Sequence, residues 1–189
     1  MRFWYFTCLI ACNLLWTQNA VAEQAQDSCL SKVPPSLAKL LLTKFPDFRL
    51  PLVKDGQPSQ IEYSQKQGYG DCVLVTIGDF DGNRLQDVAI LLPRKLSEKV
   101  ILVGALQGPK GWSVFKLPSW CESVSSCYVG TDQPGKYEMT ESFDYTTTSP
   151  DSRERITSKN QVIVAGTPES TGIVYAYIKK HWLYVWVSD

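Results

Sequence analysis

Short runs of apolar and β-branched residues, separated by polar turns, dominate the chain from residue 71 onward. Runs of this length and composition are typical of β-strands. Because short turns separate most of them, neighbouring strands are expected to pair antiparallel, and the last two are expected to form a hairpin. The predicted strands are 72–77, 88–92, 100–106, 112–117, 127–129, 136–139, 155–156, 161–164, 173–178 and 182–187.

An amphipathic helix is predicted before these strands. Leu37, Leu40, Leu41 and Phe45 recur at helical spacing. The helix is expected to end before Pro46, because the residue that precedes a proline disfavours the α region.

The connection at 46–70 is rich in proline, glycine and glutamine. This composition predicts an extended segment with one strand at 61–64. With one early helix and many strands, the predicted fold class is α+β, in which one short N-terminal helix packs on a predominantly antiparallel, curved β-sheet.

The beginning of the chain has the pattern of a secretory signal peptide. Arg2 supplies a positive charge, residues 3–16 are almost entirely apolar, and Ala20-Val21-Ala22 matches a small-residue cleavage site. The apolar run is shorter than the roughly 20 residues that a membrane span needs, so no integral membrane segment is expected.

The predicted domains are therefore a signal peptide at 1–22 and a single β-rich globular domain at 23–189. The mature protein is expected to be periplasmic or secreted after cleavage near Ala22. Leu9-Ile10-Ala11-Cys12 also resembles a lipobox, so a lipoprotein anchored through Cys12 is the minority alternative.

Composition and charge narrow the class of partner. Hydrophobic residues make up 44% and charged residues 20% of the chain, which is the globular range. Loss of the leader removes Arg2 and no acidic residue, so the mature net charge is near −1. No basic stripe is visible, and nucleic acid is therefore not expected as a partner.

Four cysteines remain after the leader: Cys29, Cys72, Cys121 and Cys127. Four thiols in an oxidising compartment favour two disulfides, for which three pairings are possible. We favour Cys121–Cys127, which closes a short serine-rich loop, and Cys29–Cys72, which ties the mature N-terminus to the core. A metal site with cysteine ligands is disfavoured because the chain has no C-x-x-C pair.

The segment 78–89 is the strongest candidate for chemistry. Side-chain oxygens occur at loop positions one, three, five and nine, in Asp79, Asp81, Asn83 and Asp87. The carbonyl of Leu85 would occupy position seven. Calcium takes about six to eight hard oxygen ligands, so this spacing predicts a Ca²⁺ site. The alternative is a polar hairpin connection in which Asp and Asn bond nearby backbone amides.

This loop resembles the strand–loop–strand unit of FG-GAP and VCBS-type repeats, which form β-propeller blades and often carry calcium. The resemblance implies that Asp79, Asp81, Asn83 and Asp87 stand at ligand positions. The chain differs from those repeats at position six, where Arg84 replaces a glycine that adopts a left-handed backbone. It also contains one unit only, so no propeller is expected.

The chain as a whole resembles uncharacterised small exported bacterial proteins that carry a single loop of this kind. The segments that carry the resemblance are 45–51, 78–82, 166–172 and 182–189. That group has no assigned activity, so the resemblance implies a fold and export rather than a role.

Catalytic chemistry has little support in the sequence. A triad needs a histidine, and His181 lies in a predicted turn. Carboxylate pairs drawn from the acidic loop, Glu138, Glu141 and Asp144 have no spacing that selects one pair. Aromatic residues alternate near the C-terminus, and we expect them to pack in the core; the alternative is that they contact a ligand or partner. They are Tyr175, Tyr177, Trp182, Tyr184 and Trp186.

The predicted function is an exported, non-catalytic binding module with an unknown protein partner, of which an inhibitor or immunity-type protein is one form. The first alternative is a calcium-stiffened structural or envelope-associated domain. A carboxylate-dependent hydrolase is the remote alternative.

Overall fold

The computed structural model describes residues 27–139, 149–168 and 171–188. Its helices are α1 (Ser28–Ser31), α2 (Pro35–Lys44) and α3 (Pro58–Lys66), with single 3-10 turns at Val53–Asp55 and Val124–Ser126. Its strands are β1 (Val75–Gly78), β2 (Asp87–Pro93), β3 (Val100–Gly108), β4 (Gly111–Leu117), β5 (Tyr128–Asp132), β6 (Gly135–Glu138), β7 (Arg155–Ser158), β8 (Val162–Gly166), β9 (Thr171–Ile178) and β10 (His181–Ser188).

The strands form three antiparallel sheets. The first sheet has the order β1-β2-β3-β4, and the second has the order β10-β9-β8-β5. Strands β6 and β7 form a separate two-stranded sheet, here called the outer hairpin. The meander from β1 to β4 agrees with the short turns between these runs in the sequence.

The predicted fold class, one short N-terminal helix on a single curved sheet, is wrong. The chain is mostly β, with three sheets and several small helices. The physical reason lies in β9, which is apolar at consecutive positions and so must be covered on both faces. Val174 and Ala176 belong to one hydrophobic cluster, whereas Ile173 and Tyr175 belong to another.

The predicted strand at 61–64 is also wrong, because these residues lie in α3. Pro58 occupies the first turn of that helix, where its fixed φ and missing N–H are tolerated. Gln60 and Ser64, four residues apart, form its buried face. The helix predicted near Leu37 is confirmed as α2.

Aromatic side chains join the first sheet to the second. Phe115 on β4 contacts Tyr177 and Trp182, with ring centroids 6.1 and 6.5 Å apart respectively. Trp182 also lies over Gly104 on β3, where an added Cβ would stand 3.0 Å from the indole. Glycine at 104 therefore permits the close approach of the two sheets.

The outer hairpin covers the other face of the second sheet. Ile156 of β7 packs with Val162, Val174, Ala176 and Val185 in a cluster separate from the main core. The second sheet is thus a middle layer, with the first sheet against one face and the outer hairpin against the other.

The first and second sheets also meet edge to edge at a seam between β1 and β5. The N–H of Val129 donates to the carbonyl of Val73 at 2.9 Å. Further along, the Thr131 hydroxyl donates to the carbonyl of Ile77 at 3.0 Å and lies 2.8 Å from the Thr76 hydroxyl. Side-chain bonds therefore replace a regular ladder at this seam.

The structure contains the two favoured disulfides, Cys29–Cys72 and Cys121–Cys127, with Cα–Cα distances of 5.1 and 6.0 Å. Two disulfides fit an oxidising, extracellular environment. The predicted signal peptide at 1–22, with its lipobox Cys12, lies outside the described residues.

Among the described helices, none has both the length and the apolar character that a bilayer crossing requires.

Candidate functional site

The acidic loop connects β1 to β2, and backbone amides organise it around Asp79. The two carboxylate oxygens of Asp79 accept hydrogen bonds from the N–H groups of Gly82 at 2.8 Å and Arg84 at 3.0 Å. Gly82 and Arg84 both have left-handed backbones, with φ of 78° and 68°. The left-handed position that the sequence motif requires is therefore present, although an arginine occupies it.

The middle of the loop is closed by Asp81 and Asn83. One oxygen of Asp81 accepts from the Asn83 N–H at 3.1 Å, and the other accepts from the Asn83 side-chain amide at 3.0 Å. The Asn83 Oδ1 accepts from the N–H of Leu85 at 2.7 Å. Such side-chain-to-backbone bonds are the turn-stabilising contacts expected of Asp and Asn.

Asp87, at the end of the loop, is fully buried. Its carboxylate accepts from the N–H of Phe80 and the N–H of Gln107, both at 2.8 Å. Burial raises the pKa of Asp87 to about 6, and the charge of Asp81 adds to this, while the two amides oppose it. Asp87 therefore links the loop to β3 through a carboxylate whose charged form is disfavoured by burial.

The structure brings Asp79, Asp81 and Asp87 together, with one oxygen from each lying within 4.8 Å of the others. Three converging carboxylates suit a hard cation such as Ca²⁺. Calcium takes about six to eight oxygen ligands, and the three carboxylates supply fewer than that. Asn83 directs its oxygen to the Leu85 amide, so carbonyls and water would have to supply the remaining ligands.

The loop also contacts the second sheet. The Asp79 N–H donates to Gln161 Oε1 at 2.8 Å, and the Asn160 amide donates to the carbonyl of Phe80 at 3.4 Å. The loop, which belongs to the first sheet, is thus hydrogen-bonded to the segment that leads into β8 of the second sheet.

The residues considered for catalysis are scattered. His181 is exposed at the start of β10, beside a groove of about 220 Å³ that Asp151 also lines. Glu138 forms ion pairs with Lys136 and Arg155 on the outer hairpin. Glu141 and Asp144 lie outside the described residues. The alternating aromatic residues near the C-terminus pack against the main core, with Tyr175 and Tyr184 buried.

A larger cleft lies on the seam, between α3 and strands β1 and β5. Its cavity volume is about 1040 Å³. Ligand pockets in proteins typically measure about 300–1,000 Å³, so this cleft is large enough for a small molecule. The lining residues that bear on its chemistry are Lys32, Gln60, Tyr63, Tyr69, Thr76 and Gly130.

Lys32 carries a positive charge into this cleft. Its ammonium lies 3.4 Å from the carbonyls of both Cys72 and Val75, at the edge of β1. Partial burial lowers the pKa of Lys32, and the charge of Asp71 opposes that shift.

Gln60 and two tyrosines complete the cleft. Gln60 is only 8% exposed, and its Oε1 is buried without a hydrogen-bond partner among the described residues. Tyr63 and Tyr69 are 65% and 74% exposed, which is unusual for side chains of this size.

Sequence reasoning missed the cleft, because a strand at 61–64 would not place Gln60 and Tyr63 above the seam. Pro58 followed by good helix-forming residues was the signal that could have indicated α3.

The resemblances to FG-GAP and VCBS-type repeats and to small exported bacterial proteins remain predictions. No family model matches the chain, and no curated protein or solved structure shows significant similarity to it.

Proposed function

We propose that this protein is an exported, non-catalytic binding module and that the cleft on the β1–β5 seam is its ligand site. The observation that carries the proposal is the cleft itself, a cavity of about 1040 Å³ that is lined by a cationic side chain, Lys32, and by two exposed aromatic rings, Tyr63 and Tyr69. A large concave site with a few polar groups is the usual form of a ligand pocket.

The two threonine hydroxyls that line the cleft hold the seam together. Thr76 and Thr131 are hydrogen-bonded to each other, and Thr131 also donates to the carbonyl of Ile77. Their role is to hold β1 beside β5. A nucleophile needs an adjacent general base, and these two hydroxyls are engaged with each other and with the backbone instead.

One structural observation supports export, since the two disulfides fit an oxidising compartment. The leader predicted at 1–22 would supply a route to that compartment. A periplasmic inhibitor or immunity-type role is compatible with a small disulfide-bonded β protein, but the cleft favours a small ligand over a protein partner.

Blocking the cleft tests the proposal. An added Cβ at Gly130 would meet no atom within 4 Å, so Gly130→Phe is expected to fill the cleft without straining β5. We expect small-molecule fragments that bind the wild-type protein, measured by ligand-observed NMR, to lose binding to this variant.

Gly135→Phe is the matched control, because Gly135 lies on the outer hairpin and an added Cβ would make only ordinary contacts with Tyr137. Both variants should unfold at the wild-type temperature. Fragments that bind the Gly130 variant as well as the wild type would show that the cleft is not the site.

A calcium-stiffened domain is the second candidate function, and the convergence of Asp79, Asp81 and Asp87 favours it. A bound cation would offset the unfavourable charge of buried Asp87. A calcium concentration about 100 times the dissociation constant would then stabilise the fold by about 2.7 kcal/mol.

The test is calcium titration followed by calorimetry and thermal unfolding. Asp81→Asn should abolish the stabilisation, whereas Asp132→Asn, an exposed change outside the loop, should preserve it. If calcium did not change the unfolding temperature of the wild-type protein, the loop would be a turn held by its own hydrogen bonds and not a calcium site.

A further inference from the structure

We infer that the cleft selects a small anion that carries a ring, with Lys32 as the charge partner and Tyr63 and Tyr69 as the surface against which the ring stacks. This inference rests on the proposed function, since it names the ligand class of the same cleft. The acidic group can be carried by an aromatic ring or by a sugar ring, and the experiment below distinguishes these sources.

The fold holds Lys32 firmly at the base of the cleft. Lys32 ends α1, whose first turn is capped by the carboxylate of Asp27. The Cys29–Cys72 disulfide joins the same helix to the segment that leads into β1. The backbone that carries Lys32 is therefore fixed before any ligand arrives, which reduces the entropic cost of binding.

The present contacts of Lys32 leave it poorly satisfied. Both of its hydrogen bonds are 3.4 Å long, beyond the roughly 2.7–3.2 Å of a good N–H···O bond. An ammonium group has three donors, so at least one remains for a ligand. A half-buried ammonium with weak partners gains most from an anionic acceptor.

The nearby carboxylates do not contact the ammonium directly. The charge of Asp71 acts on Lys32, but one Asp71 oxygen accepts from the Ser28 hydroxyl, and no ion pair within 4.0 Å joins Asp71 to Lys32 among the described residues. Asp132 also lines the cleft, but it accepts from the N–H of Gln133 at the far end of β5. Among the described residues that line the cleft, Lys32 is the one with a cationic side chain.

The two tyrosines are displayed at the mouth of the cleft. Tyr63 lies one turn after Gln60 on α3. Tyr69 stands between Gly68 and Gly70, whose φ angles of 78° and 86° hold a tight turn that most side chains would not tolerate. Exposed aromatic rings at a pocket mouth provide flat faces for stacking on a ligand ring.

The experiment measures dissociation constants by calorimetry for the full mature chain. The probes are 4-hydroxyphenylacetate and D-glucuronate, their neutral counterparts 4-hydroxyphenylacetamide and D-glucose, and acetate as an acid without a ring. We expect at least one ring acid to bind roughly tenfold or more tightly than its neutral counterpart, because a charge-assisted hydrogen bond is worth that much. Acetate should bind more weakly than that acid.

Variants assign the contacts. Lys32→Gln keeps a donor for the strand carbonyls but should remove the preference for the acid, and Lys32→Arg should restore it. Lys39→Gln, which removes an exposed charge on α2, is the control. Tyr63→Ala and Tyr69→Ala should weaken the binding of the ring acid. Leu96→Ala, at a position 97% exposed, should leave that binding unchanged.

The outcomes separate the inference from the proposed function. If acids and neutral counterparts bind equally and Gly130→Phe abolishes both, the cleft binds ligands but the preference for anions is refuted. If no ring acid binds at millimolar concentration, the inference is again refuted. Whether the cleft binds any ligand is then decided by the fragment experiment with Gly130→Phe. If a ring acid binds the Gly130 variant unchanged, both ideas fail.

Discussion

Replacing Cys29 and Cys72 with alanine is expected to lower the free energy of unfolding by about 4 kcal/mol, according to the chain-entropy model of a disulfide. The expectation follows from the sequence separation of 43 residues between the two cysteines. Both side chains are also buried in the main core, so the substitution removes packing in addition to the cross-link. Urea denaturation followed by tryptophan fluorescence measures the loss.

The second disulfide provides the comparison. Cys121 and Cys127 are only 6 residues apart, and the same model gives about 2 kcal/mol for so short a loop. Alanine at both of these positions should therefore be clearly less harmful. An equal or larger loss at 121 and 127 would contradict the account, and would mean that native packing around the short loop outweighs the chain entropy.

The Cys29–Cys72 bond also matters for the proposed site. It fixes α1, and through α1 it fixes Lys32 against the edge of β1. The unfolding experiment thus probes the element on which the ligand preference depends.

Local patterns in the sequence predict the strands well, because a strand needs only an apolar run and a turn at each end. The hairpin from β9 to β10 is an example. Its turn residues Lys179 and Lys180 have φ angles of 51° and 66°, which favour asparagine and glycine rather than lysine. The apolar runs on both sides nevertheless fix the hairpin.

Assigning strands to layers depends on contacts between distant residues, and the sequence does not reveal these directly. Val174 and Ala176 face Ile156 of the outer hairpin, whereas Tyr175 between them faces the first sheet. An apolar run without alternation could have indicated that β9 is covered on both faces. It was interpreted as part of one curved sheet, and so the third layer was missed.

The acidic loop shows the same limit at a smaller scale. The spacing predicted one cation site lined by Asp79, Asp81, Asn83, the Leu85 carbonyl and Asp87. The carboxylates of Asp79, Asp81 and Asp87 do converge, whereas the Asn83 oxygen accepts from the Leu85 amide. The spacing did not predict that the carboxylate of Asp87 would accept from the Gln107 amide, because that partner lies 20 residues away in the chain. The structural role of Asp87 is therefore visible only in the fold.

This role gives a prediction with a large effect. Asp87→Ala leaves the N–H groups of Phe80 and Gln107 without their acceptor. Because each unsatisfied buried donor costs about 1–3 kcal/mol, we expect a total loss of about 2–6 kcal/mol in the free energy of unfolding. Asp87→Asn should cost less, since the amide retains one acceptor oxygen of the same shape.

Asp79→Ala is the matched control, because Asp79 also accepts from two backbone N–H groups but does so at the protein surface. Water can replace its carboxylate there, so the expected loss is below about 1 kcal/mol. Chemical denaturation without added calcium measures all three variants on the same scale. If Asp79→Ala destabilised the fold as much as Asp87→Ala, burial would not be the source of the difference. The hydrogen bonds of the two carboxylates would then act as one cooperative unit.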